Sequence, residues 1–350
     1  MAPRSTAVAV FTVVAAVASN GAVWHPAAMS RAVTVTTGAR LHFGLIVAPG
    51  HQFGSVGLMI DQPGFVVRIE PLGKQSPDRI AATPQTAQRV AEFLAQYRSA
   101  RSAAPVAVSL TREIPAHAGL GSGTQLALSL AAGLSRLFDA PPATAEDLAW
   151  LMGRGKRSIV GRVGFTRGGC IFAPPATAET PPSGTADLVV LPTPADWRFL
   201  LITPPGQTGL FGRDEQRAFQ QMAPMSAELR DRLLRWMREE GQPALARADF
   251  PAFSAALYAF GRAVGEHFAP HQGGPFAHRQ MAALVDHLRE QGVHGVAQTS
   301  WGPTLTVLCP HAAAARALAD RIAADPRWCD CRRLCAAPRN EGARIVLETD

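Results

Sequence analysis

The stretch Pro115–Gln125, PAHAGLGSGTQ, decides how this chain is read. It lies between a short apolar strand signal, Val106–Leu110, and Thr124–Phe138, where Leu126, Leu130, Leu134 and Leu137 recur on one helical face. Glycines at 119, 121 and 123 let the backbone take conformations barred to other residues and approach a ligand closely. Ser122 and Thr124 stand where the helix begins, beside amides that no helical carbonyl reaches, and the positive helix end adds to their pull on an anion. A flexible turn with a serine cap would use the same letters; the strand before and the long helix after favour a phosphate cradle. Gly119, Gly121, Ser122, Gly123, Thr124 and Gln125 are therefore predicted to bind a phosphate-bearing substrate.

Outward from the loop, the N-terminal side carries strand signals at Ala32–Thr37, Leu41–Val47, Gly57–Ile60 and Gly64–Ile69, then an amphipathic helix over Thr86–Ala100. On the C-terminal side come a helix, Ala145–Gly153, a basic glycine-rich stretch, Gly153–Gly169, and a strand, Cys170–Ala173. Pro174–Thr185, PPATAETPPSGT, reads as a surface loop. Beyond it the pattern is a strand (Phe199–Thr203), helices (Ala227–Glu240, Phe250–His267, Phe276–Gln291), a strand (Val296–Leu308) interrupted by Trp301-Gly302-Pro303, a helix (Ala312–Ala324) and a closing strand (Arg344–Glu348). That order predicts an α+β protein of two domains, 31–195 and 196–350.

Composition narrows the function classes. The net charge of +7 over 350 residues is almost all arginine, since Lys74 and Lys156 are the only lysines. The arginines are dispersed rather than run together, which argues against nucleic acid and suits small acidic substrates. Five cysteines at irregular spacing (Cys170, Cys309, Cys329, Cys331, Cys335) form neither a disulfide framework nor a zinc pattern and read as reduced thiols. No segment reaches membrane-spanning length, so no membrane partner is expected. Residues 1–30 are set apart from the fold: Ser5–Ser19 resembles a thin signal peptide, and the competing reading is an early start codon with Met29 as the true beginning. The second is preferred, because the chemistry below uses cytosolic metabolites; a cytoplasmic protein is expected.

Pro115–Ser122, P-x-x-x-G-L-G-S, resembles the second motif of the GHMP small-molecule kinase superfamily. An early strand segment (Gly38–Leu45, GARLHFGL) and a late glycine loop (Gln298–Thr304, QTSWGPT) agree with that superfamily's layout. The resemblance implies an N-terminal α/β domain plus a ferredoxin-like C-terminal domain, and packing as a homodimer. Kinase members that use a catalytic aspartate carry it about seven residues before a Gly-Gly pair; here Gly161 holds that place before Gly168-Gly169. Set with Phe53–Asp61 (FGSVGLMID), Arg154–Gly169 and Ser300–Thr304, the motifs are similar to the β-ribofuranosylaminobenzene 5′-phosphate synthase branch. An ATP-dependent small-molecule kinase is the alternative.

That branch joins phosphoribosyl pyrophosphate to 4-aminobenzoate and releases carbon dioxide and pyrophosphate, a step of tetrahydromethanopterin biosynthesis. The resemblance thus implies these two substrates, magnesium as the expected cofactor with no ligands assigned, and a site built from the matching motifs. The glycine loop would cradle pyrophosphate. Arg157 and Arg167, with Ser158, would meet the 5′-phosphate or the leaving group. Arg40 and His42, two apart and so on one side of a strand, are candidates for the benzoate carboxylate and for the amine or a phosphate. Asp61 is the candidate carboxylate for magnesium or the oxocarbenium, with a turn role before Gln62-Pro63 as its plain alternative. Ser300, Trp301 and Gly302 would close the cleft, with Trp301 facing the ring or lying in the core.

Overall fold

The computed structural model describes residues 31–154, 159–175, 187–206, 209 and 212–349. The expectations for residues 1–30, Arg157 and Ser158 lie outside them. In chain order the strands are β1 (Arg31–Ala48), β2 (Gln52–Pro71), β3 (Arg79–Ala81), β4 (Val106–Arg112), β5 (Cys170–Ala173), β6 (Val189–Leu191), β7 (Arg198–Thr203), β8 (Val296–Gln298), β9 (Leu305–Cys309), β10 (Arg332–Ala336) and β11 (Arg344–Thr349). The helices are α1 (Pro84–Ala100), α2 (Ser122–Leu137), α3 (Ala145–Leu151), α4 (Ile159–Arg167), α5 (Gly212–Gln221), α6 (Ala227–Arg235), α7 (Gln242–Ala246), α8 (Phe250–Gln272), α9 (Arg279–Glu290) and α10 (Ala312–Ala324).

Two sheets organise the chain. The first runs β11-β1-β2-β4-β3, with β5 and β6 extending from β2. Its backbone is one long antiparallel hairpin, in which β1 passes through Gly38 and β2 through Gly64 without breaking. The four strand signals read before the loop are therefore two strands. Alternation along β1 puts Val33, Val35, Leu41 and other apolar side chains fully into the core. Helix α2 lies against β1 and β2 and is buried on almost every turn, because Leu126, Leu128, Leu130 and Leu134 leave no polar face to water.

The second sheet, β10-β7-β9-β8, is antiparallel. Packed with α9 and α10, it has its own core around Leu200, Leu284, Leu305 and Ile322. The fold is α+β, as expected. The strand expected over Val296–Leu308, interrupted at Trp301-Gly302-Pro303, is β8 and β9 joined by a turn over residues 299–304. Most of the basic stretch read between 153 and 169 is helix α4. The chain's end also departs from a simple division at 195: β11 pairs with β1, from Arg31↔Thr349 to Thr36↔Arg344, and so returns to the first sheet. No described helix is long and apolar enough to cross a membrane.

Candidate active site

The loop predicted to cradle phosphate meets α2 through Gly121, whose φ of +74° no side chain favours. The amides of Thr124 and Gln125 return to the Gly121 carbonyl at 3.1 and 3.2 Å. No side chain caps the helix, so its first amides, at Ser122 and Gly123, are left toward whatever binds there. Arg89, from α1, reaches this point: its Nη1 donates to Ser122 Oγ at 3.4 Å. A Cβ built on Gly123 would stand 3.1 Å from Arg89 Nη2 and 3.6 Å from Arg154 Nη1. Two guanidinium groups thus converge on one helix N-terminus. Burial lowers the Arg89 pKa, and the neighbouring Arg154 charge lowers it further, the condition that a bound anion relieves. Arg154 is itself laid over the Phe93 ring at 5.2 Å.

Three distant segments are stitched together beside this end. The Gly119 carbonyl accepts from Arg40 Nη1 at 3.0 Å and from Thr299 Oγ1 at 2.9 Å. Thr299 Oγ1 in turn accepts from the His42 amide at 3.0 Å, and the Ser300 amide donates to the His42 carbonyl at 2.7 Å. Gly119 has no room for more: a Cβ there would lie 2.4 Å from the Thr299 carbonyl, at a φ of +76°. His117 and Ser300, at φ +58° and +56°, are held in the left-handed region on the two loops that meet. Such residues cost about 1–3 kcal/mol each and cluster where geometry serves function.

On the far side of the 299–302 turn lies a narrow apolar cavity of about 40 Å³. Phe219, Phe268 and Trp301 form its aromatic wall, with Trp301 edge-on to Phe219 at 5.3 Å and to Phe268 at 5.0 Å. Val264 adds an aliphatic wall, and Gln298 and Ser300 are polar points in the lining. His42 also lines it, only 2% exposed, and its Nε2 has no hydrogen-bond partner among the described residues. Burial, reinforced by the Arg40 charge, holds the imidazole well below its usual pKa, so it is neutral. Burial also draws Arg40 down to about 10, against the opposing pull of Glu215. Arg40 stays charged at neutral pH and stands between the cationic end and the cavity.

The structure gathers Arg40, His42, Gly119, Gly121, Ser122, Gly123, Ser300, Trp301 and Gly302 into this one region. Trp301 combines its two expected roles, core residue and cavity wall. Four other candidates fall elsewhere. Gln125 is fully buried, accepting from Thr37 Oγ1 and donating to the Gly161 carbonyl, both at 2.8 Å, so it ties α2 to β1 and α4. Thr124 turns its methyl toward Gly161. Asp61 is exposed and its Oδ1 accepts from the Ala337 amide at 2.8 Å, which is the turn-anchoring role. Arg167 is exposed at the last turn of α4, about 9 Å of helix rise beyond Gly161. Arg162, in the same basic stretch, is buried in an ion pair with Glu146. Sequence reasoning missed Arg89, Glu215 and Phe219; all three come from amphipathic helices and carry no local motif.

Gly161 stands where a kinase aspartate was sought. A Cβ there would press the Thr124 methyl at 3.2 Å, so a larger side chain would require that methyl to give way. Residues 85–168, which span α1 to the end of α4, match the family described as GHMP kinases N terminal domain. The chain has the GHMP fold. Across most of its length the chain is similar to the β-ribofuranosylphenol 5′-phosphate synthase of Archaeoglobus fulgidus, at 26% identity over 343 residues, 89% of this chain and 98% of the relative. It is similar to the enzyme of the same name from Methanothermobacter thermautotrophicus at 26% identity over 299 residues, covering 77% and 87%. Among solved structures, mevalonate pyrophosphate decarboxylase from Streptococcus pyogenes shares the fold, with a TM-score of 0.63, 15% identity, and coverage of 90% of this chain and 99% of that one.

Proposed function

We propose that this protein is a decarboxylating phosphoribosyl-type transferase that condenses phosphoribosyl pyrophosphate with 4-aminobenzoate, giving β-ribofuranosylaminobenzene 5′-phosphate, carbon dioxide and pyrophosphate. The observation that carries the reading is one shared wall: the 299–302 turn and Arg40 separate a cationic phosphate cradle from an aromatic-lined cavity. A reaction between a diphosphate sugar and an aromatic acid needs both compartments side by side.

Pyrophosphate leaves against the Ser122 and Gly123 amides and the Arg89 and Arg154 guanidinium groups, which stabilise its developing charge. The aromatic acid lies against Trp301, Phe219 and Phe268. The para donor lends electron density to the ring carbon bearing the carboxylate. That carbon forms the new bond to the anomeric carbon, and loss of carbon dioxide returns the electron pair to the ring. Neutral His42 offers Nε2 as an acceptor for the para N–H and does not take its proton. Arg40, beside the Gly119 carbonyl that holds its Nη1, orients the carboxylate without a full bidentate clamp. Magnesium would travel with the pyrophosphate: no group of three His, Cys, Asp or Glu gathers among the described residues, and the ion needs few protein ligands when phosphate oxygens serve.

The relatives' name specifies a phenol rather than an aniline, so 4-hydroxybenzoate is the competing acceptor. Release of labelled carbon dioxide is measured from carboxyl-labelled 4-aminobenzoate and from 4-hydroxybenzoate, each with phosphoribosyl pyrophosphate. Release from the first is expected. Release from the second alone changes the acceptor, and release from neither refutes the reaction.

A further inference from the structure

A second cavity lies away from this site, beside the four-stranded sheet. It measures about 410 Å³, within the range of small-molecule sites. Its walls are the first turn of α8, the 292–295 loop, the end of β9 and one face of α10.

We infer that this cavity is a ligand site for a small amphipathic anion, an aryl or alkyl acid whose apolar body lies on Phe250, Val293 and Leu318 and whose acid group is met by Arg321. Three observations support that chemistry. The lining contains no carboxylate side chain, while Arg321 makes no ion pair among the described residues. Ser254, only 2% exposed, lines the cavity with an Oγ that has no hydrogen-bond partner among the described residues, a polar group a ligand would satisfy. Cys309, whose thiol burial pushes up to about 12, stays uncharged and does not repel an anion.

Occupancy has a route to the first site. Helix α8 lines this cavity with Phe250, Pro251 and Ser254, and about two turns further on lines the aromatic cavity with Gly261, Val264 and Phe268. The 292–295 loop leads directly into β8, whose last residue, Gln298, is in the aromatic cavity. A ligand that orders one end of these two elements stiffens the other. None of this depends on the reaction proposed above.

The test uses the full chain and 8-anilinonaphthalene-1-sulfonate, an aryl sulfonate that fluoresces when buried. Saturable binding is expected, weakened roughly 10-fold or more by Arg321→Glu through loss of a charge-assisted contact. Ala317→Trp, made at an exposed position of the lining, should fill the cavity and abolish that binding phase. Arg316→Glu, on the same helix outside the lining, should leave it unchanged. Hydrogen exchange of residues 261–272 should slow with dye in the wild type and not in Ala317→Trp. Equal dye affinity in the wild type, Ala317→Trp and Arg321→Glu, each shown folded by its thermal transition, overturns the site, whatever cavity the dye then occupies.

Discussion

The two compartments of the candidate active site are built by opposite means. The phosphate cradle is mostly backbone: a left-handed glycine, a helix start and one carbonyl pinned by two outside donors, with arginines added around it. The aromatic cavity is mostly side chain, with Trp301, Phe219 and Phe268 brought from three separate elements. A backbone site tolerates change at its side chains and fails when a Cβ intrudes. A side-chain site fails when volume is lost.

Substitutions can break that contrast, and the largest effect should come from the cavity. Trp301→Ala is expected to cost about 3–5 kcal/mol of stability, as large-to-small changes at buried aromatics do, and to empty the cavity of aromatic acid; urea unfolding and equilibrium dialysis measure both. Arg89→Glu should leave folding intact and weaken pyrophosphate binding by roughly 100-fold or more, read by calorimetry, because it turns a charge-assisted contact into a repulsion. Gly119→Ala should cost about 1–3 kcal/mol through its positive φ and its clash with the Thr299 carbonyl, and it alone should weaken both ligands together, since it moves the shared wall.

A subtler effect comes from His42. Its pKa in the folded protein lies below the ordinary 6.5, so as pH falls the unfolded chain takes up a proton first. Stability is therefore full above about 6.5 and declines below it, by at most about 1.4 kcal/mol per pH unit for this one group. His42→Gln should flatten that part of the stability–pH curve. The smallest effect belongs to Asp61→Asn, which keeps an acceptor for the Ala337 amide and should change turnover by no more than about 0.5 kcal/mol equivalent. A large loss there would return Asp61 to the site.

The glycine loop was legible because its meaning is local: strand, glycines and helix start follow one another in the chain, and their geometry needs no distant partner. Arg40, His42 and Ser300–Gly302 were legible as motifs, although their meeting at Gly119 depends on tertiary stitching no spacing predicts. Arg89 was invisible because an arginine on an amphipathic helix reads as a solvated charge until the helix is docked. Gln125 misled for the converse reason, since at the fourth residue of α2 the helix has already turned its side chain into the core. The break between β8 and β9 was legible at Trp301-Gly302-Pro303, a glycine and a proline inside an otherwise apolar run, although the turn is longer than that triplet.

The return of β11 to the first sheet has a consequence for how the protein is made. β11 follows every other described element in chain order, so one edge of β1 stays bare until residues 344–349 have been made. A chain cut short before Arg344 would leave the amides and carbonyls of that edge open to pairing with another chain.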